Sequence, residues 1–195
     1  MISLGAAIIR TALRAYTYPY RKRFASLSRS VTLKNKAYEP PKGFTFTKEK
    51  YGGVQVEKLV PPEAKKGIIL QFHGGGHTAS MNDMYRKAAE QLAANCDRVV
   101  YSIDYRSGTD LVYPAVHDEC YLAYEALCKA VLSNGNFVVI GDSFGANLLL
   151  STCLRARDNH LPLPSAIVCI CSFIDMAASG SSYKENCYRD PLYAM

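Results

Sequence analysis

The chain has 195 residues, of which 49% are hydrophobic and 21% are charged, and its formal net charge is +6. This length suits one domain with a sizeable core, and the composition is that of an ordinary globular protein. No run of 18 apolar residues occurs, so we predict no transmembrane helix. The excess of positive charge lies at the start of the chain, since residues 1–38 contain eight Lys and Arg and no Asp or Glu, whereas the rest has 15 basic and 17 acidic residues. Nucleic-acid-binding proteins usually spread basic residues over a face of the fold, so we predict no nucleic-acid partner.

The N-terminal residues 2–17 are predicted to form an amphipathic helix, because their apolar side chains share one face and Arg10 and Arg14 lie on another. A signal peptide is not expected, since no basic residue precedes the apolar stretch. We predict that residues 1–38 form a separate cap or amphipathic segment and that residues 39–195 form the main domain. Three roles remain open for this segment: a lid that packs on the domain, a helix that contacts a membrane surface weakly, and an organellar transit peptide.

The main domain begins with a predicted β-hairpin, formed by residues 44–47 and 54–60 around Gly52 and Gly53. Apolar strands and helical segments then alternate. The predicted strands are residues 67–73, 98–104, 136–140 and 165–173, and the predicted helices are residues 81–94, 116–132 and 144–157. This alternation indicates an α/β fold whose sheet is mainly parallel and has helices on both faces.

Seven cysteines are scattered along the chain without a CxxC pair. Most lie in apolar segments, where a free cysteine acts as a small hydrophobic residue. Their odd number argues against a disulfide framework. We therefore predict a reducing, cytoplasmic setting.

Residues 141–145 (GDSFG) lie between a predicted strand and a predicted helix. The G-x-S-x-G spacing suits a strained turn that raises the hydroxyl of Ser143 above the sheet, because glycines on either side remove side chains that would collide there. The helix that follows favours negative charge at its N-terminus. An ordinary glycine-containing turn is the alternative interpretation. The flanking strand and helix favour a nucleophilic serine.

A second glycine-rich loop, residues 73–76 (HGGG), follows an earlier predicted strand. A run of glycines lets backbone N–H groups approach a substrate closely, as an oxyanion hole requires. A phosphate-binding loop is the alternative, but this loop has neither the GK[ST] ending nor the GxGxxG spacing of such sites. We expect His73 and Gly74 to support the loop structurally.

These motifs together resemble the hormone-sensitive-lipase family of α/β hydrolases, which includes bacterial carboxylesterases. The matching stretches are residues 73–76 (HGGG), 104–106 (DYR), 113–115 (YPA) followed by Asp118, 141–147 (GDSFGAN) and 182–192. The resemblance implies an α/β-hydrolase fold with a cap formed by the N-terminal segment. It also implies that Ser143 is the nucleophile and that the N–H groups of Gly75, Gly76 and Phe144 form the oxyanion hole. Asp104 and Arg106 are expected to form a structural ion pair.

In this family the acid and the histidine of the catalytic triad follow two later strands. The chain ends at Met195, so we expect those strands and both triad residues to be absent from it, which would leave residues 165–173 as an exposed edge strand. Three histidines and an aspartate are the candidate substitutes in this chain. His160 is expected near the opposite edge of the sheet, His77 and His117 could act as a base only by coincidence, and Asp190 is a turn residue.

The resemblance implies a serine hydrolase that cleaves small carboxylic esters through an acyl-enzyme on Ser143, with neither a metal nor a cofactor. A different function is a non-catalytic module that binds a small ligand, because the family also contains plant hormone receptors that kept the pocket and lost the histidine. The sequence does not indicate an oligomeric state.

Overall fold

The computed structural model describes residues 3–17, 37–65, 67–76, 78–108, 110–132 and 135–186. The chain divides into two compact units, Leu33–Ile174 and a second unit that combines Met1–Thr32 with Asp175–Met195. The second unit contains helix α1 (Leu4–Thr17) and the short helix α5 (Ser181–Glu185). The predicted N-terminal helix is confirmed, and no described helix is long and apolar enough to cross a membrane. The proposed domain boundary at residue 38 stays a prediction.

A six-stranded sheet forms the larger unit, in the order β1-β2-β4-β3-β5-β6. The strands are β1 (Thr45–Tyr51), β2 (Val54–Val60), β3 (Ile68–Phe72), β4 (Val99–Asp104), β5 (Phe137–Asp142) and β6 (Ala166–Ile170). The hairpin β1–β2 is antiparallel, and β2 is antiparallel to β4. The other neighbouring strands are parallel. This arrangement confirms the α/β fold with a mainly parallel sheet.

Helices cover both faces of the sheet: α2 (Asp83–Cys96) lies on one face, and α3 (Ala115–Ala130) and α4 (Phe144–Asp158) lie on the other. Successive side chains of the central strands therefore pack against helices on alternate faces of the sheet. Ile69 and Val100 pack with α2, whereas Leu70 joins the larger core beneath α3 and α4. Because successive side chains of a strand point to opposite faces, a strand covered on both sides is mostly apolar.

Helix α2 is tied to the sheet by a buried ion pair. The guanidinium of Arg86 donates two hydrogen bonds of 2.8 Å to the two carboxylate oxygens of Glu57 in β2. Asn82 caps the start of the helix, where its side-chain oxygen accepts the N–H of Met84 at 3.0 Å. These contacts fix the segment that follows the glycine-rich loop.

Strand β6 is an edge of the described sheet, since it pairs with β5 and with no other described strand. All five of its residues, Ala-Ile-Val-Cys-Ile, are exposed. An exposed apolar edge offers unpaired N–H and C=O groups to another chain. The expectation of an exposed edge in this segment is therefore confirmed.

We expect the 195-residue chain to associate with itself through β6, and the change Val168→Lys to suppress this. Val168 is 41% exposed, so lysine fits without disturbing the core. Burying its unpaired charge in a new strand contact should raise the concentration needed for association by roughly tenfold or more. Sedimentation velocity over a concentration series measures the effect. Val112→Lys, an exposed loop position, is the matched control. Equal association of both variants and the unaltered chain would place the contact elsewhere.

Candidate active site

The carboxyl ends of the parallel strands bring the predicted motifs together. The glycine-rich loop follows β3, Tyr105 and Arg106 follow β4, and Ser143 follows β5. Because these strands run in the same direction, all three motifs emerge at one edge of the sheet, where α/β folds usually bind ligands. Segments that are far apart in sequence thus form one candidate site.

Ser143 occupies a strained turn between β5 and α4, with φ 51° and ψ −120°. Such a positive φ is uncommon for a residue with a side chain and persists only where neighbouring structure enforces it. Two backbone hydrogen bonds do so here. The N–H of Ser143 donates to the carbonyl of Ile170 at 2.9 Å, and the N–H of Phe173 donates to the carbonyl of Ser143 at 3.2 Å. The hydroxyl of Ser143 makes no capping bond to the helix.

The two glycines of the turn allow it to pack directly on the end of β3. A Cβ on Gly145 would lie 2.5 Å from the carbonyl oxygen of His73 and still closer to that of Phe72. A Cβ on Gly141 would lie 2.8 Å from the backbone carbonyl of Gly145. The G-x-S-x-G spacing therefore reflects backbone contact between the serine turn and the strand that leads into the glycine-rich loop.

The glycine-rich loop needs its glycines for conformation as well as for space. Gly75 and Gly76 have φ values of 102° and 59°, in the region that side chains disfavour. A Cβ on Gly75 would also lie 2.6 Å from the Cβ of Ala79. Within the described part of the chain, neither N–H group of these two glycines donates to another residue. Both donors are therefore available to a ligand.

His73 is buried beneath this loop and stacks on the ring of Tyr105, with ring centres 4.0 Å apart. Its Nδ1 lies 2.9 Å from the carbonyl of Gly74, and the hydroxyl of Tyr105 donates to the carbonyl of His73 at 2.6 Å. Burial lowers the pKa of His73 to about 4, so the ring is neutral at pH 7 and Nδ1–H is the donor. These contacts suit the supporting role expected for His73.

Asp142 connects the serine turn to the glycine-rich loop, a role that the sequence analysis did not assign. Its Oδ1 accepts the N–H of Gly74 at 3.0 Å, and its Oδ2 accepts the hydroxyl of Tyr85 at 3.4 Å. A Cβ on Gly74 would collide with this carboxylate, so glycine is required there too. Burial raises the pKa of Asp142, and the hydrogen bonds from Gly74 and Tyr85 lower it in part.

We expect Asp142→Ala to destabilise the fold at pH 7 by about 1–3 kcal/mol, because it removes a charge-assisted hydrogen bond and leaves the Gly74 N–H without an acceptor. Asp142→Asn keeps an oxygen acceptor and should be at least as stable as the unaltered chain at pH 7. Because folding raises the pKa of Asp142, the protonated carboxyl group stabilises the fold relative to the ionised one. This stabilisation is present at low pH and is lost as the pH rises through the pKa of the folded state.

Urea denaturation of these variants at several pH values between about 3 and 7 measures both effects, because this range begins below the ordinary aspartate pKa of about 3.9. The advantage of Asp142→Asn over the unaltered chain should shrink towards the acid end. Glu63→Gln, which neutralises an exposed carboxylate, controls for the loss of charge alone. An Asp142→Ala variant as stable as this control would refute the connection.

No hydrogen bond joins a described histidine to the hydroxyl of Ser143. The Nε2 of His117 lies 3.0 Å from the side-chain oxygen of Asn147 in α4, and its ring meets the ring of Phe144 edge-on at 5.9 Å. His160 follows the end of α4, as expected, and it is exposed. His77 and Asp190 lie outside the described residues.

The predicted ion pair between Asp104 and Arg106 is wrong. Arg106 instead pairs with Glu119 of α3, which also accepts the backbone N–H of Arg106 at 2.9 Å. Asp104 accepts a hydrogen bond of 3.4 Å from Gln55 in β2, and burial raises its pKa. Asp104 is the last residue of β4, whereas Arg106 lies in the loop beyond it, so each side chain meets a different neighbouring element.

Known proteins are similar to this chain in sequence and in fold. A family characterised by the alpha/beta hydrolase fold matches residues 69–195. The acetyl-hydrolase LipR of Mycobacterium tuberculosis is 29% identical over 195 residues, which cover 98% of this chain and 63% of that protein. Hormone-sensitive lipase of Mus musculus is 26% identical over 131 residues, covering 65% of this chain and 17% of the lipase. The crystal structure of EstE7, a hormone-sensitive-lipase homologue from a metagenome library, superposes with a TM-score of 0.74 at 27% identity, over 95% of this chain and 63% of EstE7.

The chain therefore belongs to the α/β-hydrolase family and resembles its hormone-sensitive-lipase members. It spans 63% of the length of LipR.

Proposed function

We propose that this chain supplies the nucleophile and the oxyanion hole of a carboxylesterase that cleaves small esters through an acyl-enzyme on Ser143. The observation that carries the proposal is the direct contact between the strained serine turn and the glycine-rich loop, which requires Gly145. A nucleophile and free backbone donors at the same strand edge are what acyl transfer needs. The names of the relatives, among them an acetyl-hydrolase and an esterase of Acinetobacter venetianus, favour ester substrates.

In the proposed reaction, the Oγ of Ser143 attacks the ester carbonyl carbon, and a base takes the hydroxyl proton. The N–H groups of Gly75, Gly76 and Phe144 donate to the carbonyl oxygen as it becomes negative. The N-terminus of α4 lies beneath the site and adds a favourable dipole. Collapse of the intermediate breaks the bond to the alcohol, which leaves with the proton, and water then releases the acid by the same steps.

The base that takes the proton of Ser143 is expected from the family resemblance and is not one of the described residues. The family places its acid and histidine after two later strands, and relatives such as LipR extend over a greater length than this chain. Asp142 does not take the role of the triad acid, since its oxygens accept hydrogen bonds from Gly74 and Tyr85. We therefore expect the 195-residue chain alone to turn over slowly.

A non-catalytic binding module is the second candidate function. It is favoured by one observation: none of the described histidines is hydrogen bonded to Ser143. A chain with the pocket and donors but without a base would hold a small acyl or carboxylate ligand and leave it intact.

The natural protein, expressed from its complete reading frame, distinguishes the two functions. It is incubated with p-nitrophenyl acetate or butyrate, release of p-nitrophenol is followed, and acylated residues are located by peptide mass spectrometry. Sustained release with transient acylation of Ser143 is the expected result. Binding of a non-hydrolysable amide analogue without release of p-nitrophenol from the esters would favour the binding module.

A further inference from the structure

Helix α1 presents an apolar half to solvent. Over the 14 residues of Leu4–Thr17, the helical repeat of 100° per residue places the large apolar side chains within one half of the circumference: Leu4, Ile8, Ile9, Leu13 and Tyr16. All five are exposed, Leu4 by 79% and Ile8 by 61%. A contiguous exposed apolar surface of this kind usually marks an interaction site.

The opposite half of α1 is basic. Arg10 and Arg14 lie there with Thr11, and the helix contains no acidic residue. The surrounding sequence continues the pattern, because residues 1–38 hold eight Lys and Arg and no Asp or Glu, while residues 39–195 have two more acidic than basic residues. The excess positive charge of the chain therefore lies in the same N-terminal part of the sequence as this helix.

We propose that α1 binds the surface of an anionic phospholipid membrane and lies in the plane of the headgroups. A short helix with one apolar half and a basic polar half suits this position, since the apolar side chains enter the acyl boundary and the exposed guanidinium group of Arg10 meets lipid phosphates. Tyr16 lies on the apolar half near the end of the helix, and aromatic side chains with a polar tip favour the headgroup level. Charge complementarity selects an anionic surface over a neutral one.

This inference is independent of the proposed esterase activity, because it rests on α1 and not on Ser143. A surface-bound hydrolase would act where apolar esters accumulate. The membrane contact would still hold if the chain were a binding module.

The chain contains no tryptophan, so one substitution provides an unambiguous fluorescent probe. Ile8→Trp places the indole in the middle of the apolar half of α1. The purified 195-residue variant is titrated with vesicles of phosphatidylcholine alone and of phosphatidylcholine mixed with phosphatidylglycerol. We expect a blue shift and protection from acrylamide quenching with the anionic vesicles, and much weaker changes with the neutral ones.

Two further changes in this background test each half of the helix. Ile9→Gln should abolish most of the partition, and Arg10→Gln should weaken partition onto anionic vesicles by about fivefold. Glutamine is a good helix former, and circular dichroism verifies that α1 is retained. The matched control is Leu154→Gln, an exposed apolar position on α4 that should leave partition unchanged.

Three results would overturn the proposal. The first is an emission that does not respond to vesicles, including one that is already blue-shifted and shielded because α1 packs on protein. The second is equal partition onto neutral and anionic vesicles. The third is a loss of partition in Leu154→Gln that matches the loss in Ile9→Gln.

Discussion

Replacing Ser143 with alanine will abolish ester hydrolysis by the natural protein, with a decrease in kcat of about 10⁶-fold if Ser143 acts as the nucleophile of a triad. The stability should hardly change, because the hydroxyl makes no capping bond and none of the described residues is hydrogen bonded to it. Initial rates with p-nitrophenyl butyrate and a thermal melt of the same sample separate the two effects. Ser151→Ala, in the same helix, is the matched control and should keep full activity.

The 195-residue chain by itself should react with a fluorophosphonate probe no faster than its Ser143→Ala variant. Without a positioned base, the serine proton has no acceptor, and triad enzymes that lack a member keep only the modest catalysis of the oxyanion hole and of binding. Rapid labelling that depends on Ser143 would contradict this expectation. It would mean that His77, His117 or a partner chain supplies the base.

The second large effect is expected from Gly145→Ala, which should destabilise the larger unit by about 3 kcal/mol or more and lower its melting temperature by roughly 10 °C. The added methyl group would meet the carbonyl oxygens of Phe72 and His73, the latter at 2.5 Å. Both are backbone atoms at the end of a central strand, so relief requires α4 to move away from β3. Such a movement would also separate the serine turn from the glycine-rich loop.

Gly5→Ala is the matched control for this experiment. Gly5 is also a helical glycine, but a Cβ added there would meet nothing within 4 Å. Alanine is the better helix former by about 1 kcal/mol, so the control should be neutral or slightly stabilising. Melting curves recorded by circular dichroism compare the two. If the Gly145→Ala variant had the same melting temperature as the Gly5→Ala variant, the close approach of α4 to β3 would be refuted.

Much of the fold could be predicted because it depends on local patterns. The alternation of apolar strands and helical segments indicated a mainly parallel sheet, and the observed strands and helices confirm it within a few residues at each end. The spacing of glycines around Ser143 indicated a sharp turn, and its φ of 51° shows one. Such patterns can be recognised in a sequence because they depend on residues that are close together in the chain, such as glycines that leave space or allow a left-handed backbone.

Partners that are distant in the chain could not be predicted in this way. Asp142 accepts a hydrogen bond from the N–H of Gly74, which lies 68 residues earlier in the chain, and Arg106 pairs with Glu119 instead of Asp104. The sequence order also does not reveal that β4 lies between β2 and β3. These choices depend on the paths of loops and on which strand edges meet, and many pairings have similar local energies until the core forms.

The sequence by itself determined the class of fold, the serine turn and the glycine-rich loop, because glycine spacing and apolar periodicity follow from backbone sterics and burial. The tertiary structure alone decided how those parts are held. It placed the carbonyl of Ile170 against the N–H of Ser143, the carboxylate of Asp142 against the loop, and the ring of Tyr105 against that of His73. Each of these contacts joins the ends of different parallel strands, and those ends become neighbours only when the sheet is assembled.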